Sequence, residues 1–96
     1  MISATEARAN VIFHEHEIFN NVAIIADELL DTMSNSIEFH SQNGYESAEF
    51  MPYRDSRFST DYMMKTASEI FEKVFKENGY TVVVNDWQNN RLKIAW

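Results

Sequence analysis

The first 40 residues show a helical spacing of apolar positions that neither glycine nor proline interrupts. At 100° per residue, these positions fall on one broad face of a predicted helix. They are Ala4, Val11, Ile18, Val22, Ala26, Leu29, Met33 and Ile37. The run Ser3-Ala4-Thr5-Glu6 has the form of a capping box, in which serine and glutamate side chains bind free amides at a helix start. We therefore predict one helix over residues 4–40, either straight or bent near residues 14–17.

Two charged residues, Arg8 and Glu15, project into this apolar face. They lie two turns apart, and three arrangements fit them: they pair with each other, they cap a bend, or they face a second subunit. Antiparallel helices related by a two-fold axis would bring Arg8 of one copy against Glu15 of the other. A homodimer contact at these two residues is therefore one expectation.

The second half of the chain predicts a strand followed by a helix. Residues 46–53 are rich in aromatic and apolar side chains, and Pro52 confines this strand to a sheet edge or to a strand end. Ser59 is the expected N-cap of the helix, with Asp61 in its first turn, and Asn78-Gly79 ends it. Its predicted buried stripe is Met63, Ala67, Ile70, Val74 and the flanking Phe71. Its outer face is neutralised by the i,i+4 pairs Lys65–Glu69, Glu69–Lys73 and Glu72–Lys76.

The last 17 residues predict a hairpin. Residues 80–85 are β-branched, residues 86–90 form a polar turn, and residues 91–96 alternate with period two, so that Leu92, Ile94 and Trp96 face inward. The order α-β-α-β-β predicts a single α+β domain over residues 1–96. A right-handed crossover would set residues 80–85 parallel to the first strand, with both helices on one face of a small three-stranded sheet.

Nearly all of the negative charge lies in the first half. Residues 1–50 contain nine carboxylates and one arginine, a net charge of −8, whereas residues 51–96 contain six acids and seven bases, a net charge of +1. On the helical wheel, acidic residues cluster opposite the apolar stripe, without the bases at i±4 that neutralise the second helix. The partner-binding residues predicted from this cluster are Glu17, Asp27, Glu28, Asp31 and Glu38. This face is either a docking surface, with Phe13 and Ile24 as apolar anchors, or a solvated face that keeps the protein soluble.

The sequence carries no catalytic or metal-binding motif. The absence of cysteine excludes disulfides, thiolate metal sites and thiol nucleophiles. His14 and His16 point about 200° apart on a helix, so they cannot share one metal ion. With only Gly44 and Gly79, the chain forms neither a nucleophile elbow nor a phosphate-binding loop. We therefore expect a protein that is not an enzyme and needs neither metal nor cofactor.

Composition also limits the partners. A pI near 4.8 opposes direct binding to nucleic acid, which requires a cationic surface. One basic and aromatic cluster resembles a base-stacking surface, although ordinary surface charge explains it better. It contains Tyr53, Arg54, Arg57, Phe58, Arg91 and Lys93. No apolar run is long enough to cross a membrane, and the first residues lack the pattern of a secretory signal.

Three segments together resemble a known group of proteins. Residues 2–8, Ile-Ser-Ala-Thr-Glu-Ala-Arg, match the I-[ST]-A-x-E-A-R start of small tailed-bacteriophage proteins of unassigned function. Residues 70–82 resemble the helix–Gly–Tyr–strand step of these proteins, and residues 92–96 resemble their terminal strand, which ends in I-x-W. The resemblance covers about half of the chain, at its two ends, and no functional residue comes with it. It implies a phage gene product made in the cytoplasm of the host bacterium.

Two functions therefore follow from the sequence as hypotheses. The first is a phage accessory protein that binds and inhibits a host protein with a basic surface, such as a defence nuclease or RNA polymerase, through its acidic helix face. The second is a structural or assembly protein, either a homo-oligomer or a virion component, whose long helix packs on a copy of itself.

Overall fold

The computed structural model describes Met1 and residues 3–96, apart from the side chain of Val11, so Ile2 and that predicted apolar side chain lie outside the described residues. Two helices and three strands follow one another as predicted. The helices are α1 (Ala4–Gln42) and α2 (Asp61–Glu77), and the strands are β1 (Ser47–Phe50), β2 (Thr81–Asp86) and β3 (Arg91–Ala95). A short 3₁₀ turn, Pro52–Arg54, lies between β1 and α2. The fold is the predicted α+β arrangement.

Helix α1 is one continuous α-helix of 39 residues, two residues longer at its C-terminal end than predicted. The Ser3 side chain accepts a hydrogen bond from the Glu6 amide at 3.1 Å, as expected for its N-cap. At 1.5 Å per residue the helix is about 58 Å long. It therefore sets the longest dimension of the molecule, 63 Å, whereas the other two dimensions are 23 and 20 Å.

Both helices end in the same tripeptide, Asn-Gly-Tyr, at residues 43–45 and 78–80. The glycines have φ angles of +84° and +85°, the left-handed conformation that glycine adopts without steric cost. At the end of α2, the Gly79 and Tyr80 amides donate to the carbonyls of Lys76 and Phe75 at 3.1 and 3.0 Å, which is a Schellman motif. The same two bonds close α1, so the sequence itself ends each helix.

The segment between the helices differs from the prediction. The predicted strand over residues 46–53 is only four residues long, because Pro52 and Tyr53 enter the 3₁₀ turn. Ser59 is not the N-cap of α2. Thr60 has that role: its backbone is extended, and its hydroxyl accepts a hydrogen bond from the Met63 amide at 3.2 Å.

Only one of the three predicted ion pairs on α2 forms. Glu72 and Lys76 pair at 3.4 Å, whereas Lys73 reaches Glu77 at 4.0 Å rather than Glu69. No base pairs with Glu69 among the ion pairs of the described residues, so Lys65–Glu69 and Glu69–Lys73 were wrong. All of these side chains are exposed, and such pairs stabilise a helix only weakly.

The sheet has the order β1-β3-β2, and β3 is antiparallel to both neighbours. Strands β1 and β2 therefore run in the same direction, as the predicted crossover requires, but β3 lies between them. A bulge at Val83 shifts the pairing of β2 with β3. Both helices pack on one face of this sheet, where Leu92 and Ile94 are fully buried. Trp96 does not follow them inward, since 38% of its surface is exposed and its ring meets Tyr80 edge-on.

The largest fully buried side chain of the described residues is Tyr53, which was predicted to belong to the basic and aromatic cluster. Its hydroxyl donates to Oδ1 of Asn85, whose Nδ2 donates to the Ser68 carbonyl at 2.9 Å. Its amide donates to Oδ1 of Asn90 at 2.8 Å. Burial, with a smaller contribution from nearby carboxylates such as Glu72, raises the pKa of Tyr53. This network joins the 3₁₀ turn, β2 and α2, so it fixes the segment between the helices on the sheet.

We predict that Tyr53→Phe lowers the free energy of unfolding by about 1–3 kcal/mol, because the half-buried Asn85 oxygen loses its donor. Urea unfolding monitored by circular dichroism measures this loss. Tyr62→Phe is the matched control, since Tyr62 is 51% exposed and should change stability by less than about 0.5 kcal/mol. Equal effects of the two substitutions would contradict the assigned role of the hydroxyl.

The same residue predicts a pH dependence. Because the pKa of Tyr53 is raised above its ordinary value of 10.0 in the folded chain, the unfolded chain loses the phenolic proton first as the pH rises. This difference leaves stability intact below about pH 10 and removes it progressively above that pH. We expect the stability of the wild type to fall more steeply than that of Tyr53→Phe as the pH rises from about 10 to about 12. Parallel pH profiles in urea unfolding would contradict this expectation.

Candidate interaction surfaces of the first helix

The N-terminal part of α1 projects beyond the rest of the fold. Over residues 4–17 no described side chain is buried, and the first fully buried residue along the helix is Val22. Ile18 is half-buried and packs against the edge of the core. We call residues 4–17 the arm and the remainder of the fold the body. The arm is about 21 Å long at 1.5 Å per residue.

The five predicted partner-binding residues are all exposed, and they lie on the side of α1 that faces away from the core. They are Glu17, Asp27, Glu28, Asp31 and Glu38. Asp27 and Asp31 are one turn apart, about 6 Å along the axis. The structure therefore presents this set as one elongated face.

Glu28 differs from the other four because it has a cationic partner. Arg57 pairs with it from the loop before α2, and the same guanidinium donates to both carboxylate oxygens of Asp55 at 3.0 and 3.1 Å. Hydrogen bonds from Arg57 lower the pKa of Asp55. The expectation that this whole face lacks compensation was thus wrong at Glu28, because a residue 29 positions away supplies the base.

The other four carboxylates, Glu17, Asp27, Asp31 and Glu38, have no ion-pair partner among the described residues. Two large apolar side chains lie on the same face, Phe13 and Ile24, which are 70% and 62% exposed. We call these six residues the acidic surface. Apolar side chains flanked by unpaired carboxylates form a surface suited to a basic partner with apolar pockets.

Arg8 and Glu15 lie on the arm, on the side that continues the buried stripe of α1. Together with Ala7 and Ile12 they line one open groove. They do not pair with each other in the described structure, and α1 continues as an α-helix through residues 14–17. Of the three arrangements considered for them, only the contact with a second subunit remains as a prediction.

The basic and aromatic cluster does not form a base-stacking platform. Tyr53 and Phe58 are buried in the core, with 1% and 6% of their surfaces exposed. Arg57 binds Asp55 and Glu28, and Arg91 binds Glu49 across the sheet at 2.7 Å. The two aromatic rings are therefore not available for stacking on bases, and two of the four bases of the cluster already bind carboxylates.

One cavity was not anticipated from the sequence. About 560 Å³ in volume, it lies between the 3₁₀ turn, the start of α2 and the β2–β3 turn, and its lining includes Arg54, Asp61 and Trp87. Trp87 is half-buried and packs against the core. Three segments distant in sequence build this cavity, so no local motif could have indicated it.

No helix in the described part of the chain is long and apolar enough to cross a membrane. Comparison with protein-family models, curated proteins and solved structures finds no match to this chain. Its function must therefore be inferred from its own surfaces, of which the exposed sides of α1 are the most distinctive.

Proposed function

We propose that this protein is a non-enzymatic bacteriophage accessory protein that binds a host protein through the acidic surface of α1. The observation that carries this proposal is a set of four carboxylates that pair with no base in the described part of the chain, on the same face as exposed Phe13 and Ile24. The phage origin rests on the resemblance of the two ends of the chain to small tailed-phage proteins. The site of action would then be the cytoplasm of the host bacterium.

The physical argument begins with the cost of this charge. Like charges one turn apart on a helix destabilise it by a few tenths of a kcal/mol per pair. Asp27 and Asp31 have this spacing and pair with no base among the described residues, whereas two i,i+4 pairs neutralise the outside of α2. A basic partner would relieve the repulsion and would be attracted over a long range by a chain of net charge −7.

The geometry indicates which class of basic partner fits. A rigid row of carboxylates resembles the regular negative charge of a phosphate backbone, which nucleic-acid-handling enzymes bind with lysine and arginine. Inhibition of such a host enzyme, for example a defence nuclease or RNA polymerase, is the activity that this surface supports best. Phe13 and Ile24 would then give apolar contacts that a nucleic acid does not offer.

Replacing Asp27, Asp31 and Glu38 together with lysine is expected to abolish partner binding and to leave the fold intact, because all three side chains are exposed. The measurement uses the purified protein as bait in a lysate of the bacterial host, at low and at high salt. Capture of a basic host protein that weakens at high salt is the expected result for the wild type, since salt screens exposed ionic contacts.

A second triple variant controls for net charge. Replacing Glu46, Glu69 and Glu77 with lysine changes the charge by the same amount at exposed sites away from α1. This control should retain partner binding. Equal loss of binding in both variants, or full binding by the Asp27, Asp31 and Glu38 variant, would contradict a docking role. The acidic face would then serve only to keep the protein soluble.

Two adjacent isoleucines separate binding from stability. Ile24 is 62% exposed on the acidic surface, whereas Ile25 is 9% exposed in the core. We expect Ile24→Ala to weaken partner binding about tenfold with little effect on unfolding, and Ile25→Ala to lower the free energy of unfolding by about 2–5 kcal/mol. Titration of the captured partner and urea unfolding measure the two effects. Unchanged affinity in Ile24→Ala would remove this residue from the interface.

A structural role is the second candidate function. The observation that favours it is the arm, which extends beyond the body with Ile12 exposed on the side that continues the buried stripe. A helix that leaves the fold in this way suits an assembly protein whose long helix packs on a copy of itself. Sedimentation of the purified protein at micromolar concentration distinguishes this role from that of a monomeric inhibitor.

A further inference from the structure

The apolar stripe of α1 is longer than the surface that the body covers. From Ile18 to Ile37 the stripe packs on the core, but on the same face of the arm none of the described side chains is buried. On a helical wheel at 100° per residue, one arc about 140° wide, centred on this face, contains Ala4, Ala7, Ile12 and Phe19. Ile12 and Phe19 are 54% and 48% exposed. Some apolar surface is therefore left without a partner in the single chain.

The two charges on the arm specify what can cover it. Arg8 and Glu15 are the charged residues on this face of the arm, and they are of opposite sign. In an antiparallel pair of arms whose two-fold axis passes beside residues 11 and 12, each Arg8 lies level with Glu15 of the other copy. A parallel pair would instead place like charges side by side, which is unfavourable. The arm is thus electrostatically complementary to itself in one orientation.

We propose that two copies of this chain pair antiparallel through residues 4–19 of α1, with reciprocal Arg8–Glu15 ion pairs across the two-fold axis. This register places Ala4 of one copy opposite Phe19 of the other, so that a small side chain meets a large one, and it brings the two Ile12 residues together at the centre. The partner's arm would end where the body begins to cover α1. The contact therefore covers the whole arm and the first two residues of the body, Ile18 and Phe19.

The low intrinsic helix stability of the arm also favours pairing with a second copy of this chain. An isolated helix of about 14 residues is marginal in water, and Thr5, Asn10 and Ile12 have only modest helix propensity. Packing against a second helix would supply the stability that the arm lacks. A two-helix contact of this length is smaller than a standard interface, so we expect dissociation in the micromolar range.

Dimerisation would leave the acidic surface accessible. The arm face that pairs lies on the opposite side of α1 from Phe13, Glu17 and Ile24. The dimer would present two acidic surfaces on one rod with twice the net charge of −7. The contact supports the second candidate function, yet its failure would leave the lysate test of the acidic surface unaffected.

Charge reversal tests the contact with the full-length chain. We expect Arg8→Glu and Glu15→Arg, each alone, to weaken the dimer at least about tenfold, because each places two like charges at both ends of the contact. An equimolar mixture of the two variants should recover a heterodimer, in which every facing pair is again opposite in sign. Sedimentation equilibrium measures the dissociation constants, and circular dichroism at several concentrations reports the helix content of the arm.

The orientation has a separate readout. Because the chain has no cysteine, Thr5→Cys provides a single site for a spin label on the arm. An antiparallel dimer separates the two labels by about 20 Å along the axis, whereas a parallel dimer brings them within about 10 Å of each other. A wild type that stays monomeric at high micromolar concentration would overturn the proposal. A dimer unaffected by either charge reversal, or one with the labels close together, would also overturn it.

Discussion

The packing of residues 18–37 of α1 against α2 and the sheet is the contact on which the rest of the structure depends. This segment contributes Val22, Ala26, Met33 and Ile37 to a core that a chain of 96 residues builds from few large side chains. The apolar stripe of α1 continues beyond this core. Burial against the core therefore stabilises residues 18–37 of the helix but not the arm. The position of the boundary between body and arm follows from how far α2 and the sheet extend along α1.

The elements that local chemistry determines could be predicted from the sequence. The Ser3 cap and the Asn78-Gly79 end of α2 were correctly placed, because each depends on hydrogen bonds within a few residues. The order of elements and the alternation that buries Leu92 and Ile94 also followed from periodicity. The N-cap of α2 was missed by one residue, since Ser59 and Thr60 both carry the hydroxyl that a cap requires and only backbone conformation distinguishes them.

Contacts between distant residues could not be predicted in this way. Tyr53 was grouped with Arg54 and Arg57 in a basic and aromatic cluster, yet it lies in the core, where it forms hydrogen bonds with Asn85 and Asn90. Glu28 seemed unpaired because no base lies within four residues of it on the helix, and its partner comes from a loop 29 residues away. The candidate surfaces were easier to recognise, since exposure on one side of α1 depends on helical periodicity alone.

The central position of β3 has a consequence for how the domain forms during synthesis. In the described structure β1 and β2 do not pair with each other, and each is bonded only to β3, which follows both of them in the chain. A nascent chain that lacks residues 91–95 therefore has no sheet at all, although both helices are already complete. Until those five residues leave the ribosome, the apolar sides of α1 and α2 have only each other for cover, so the whole sheet forms in one step when β3 joins it.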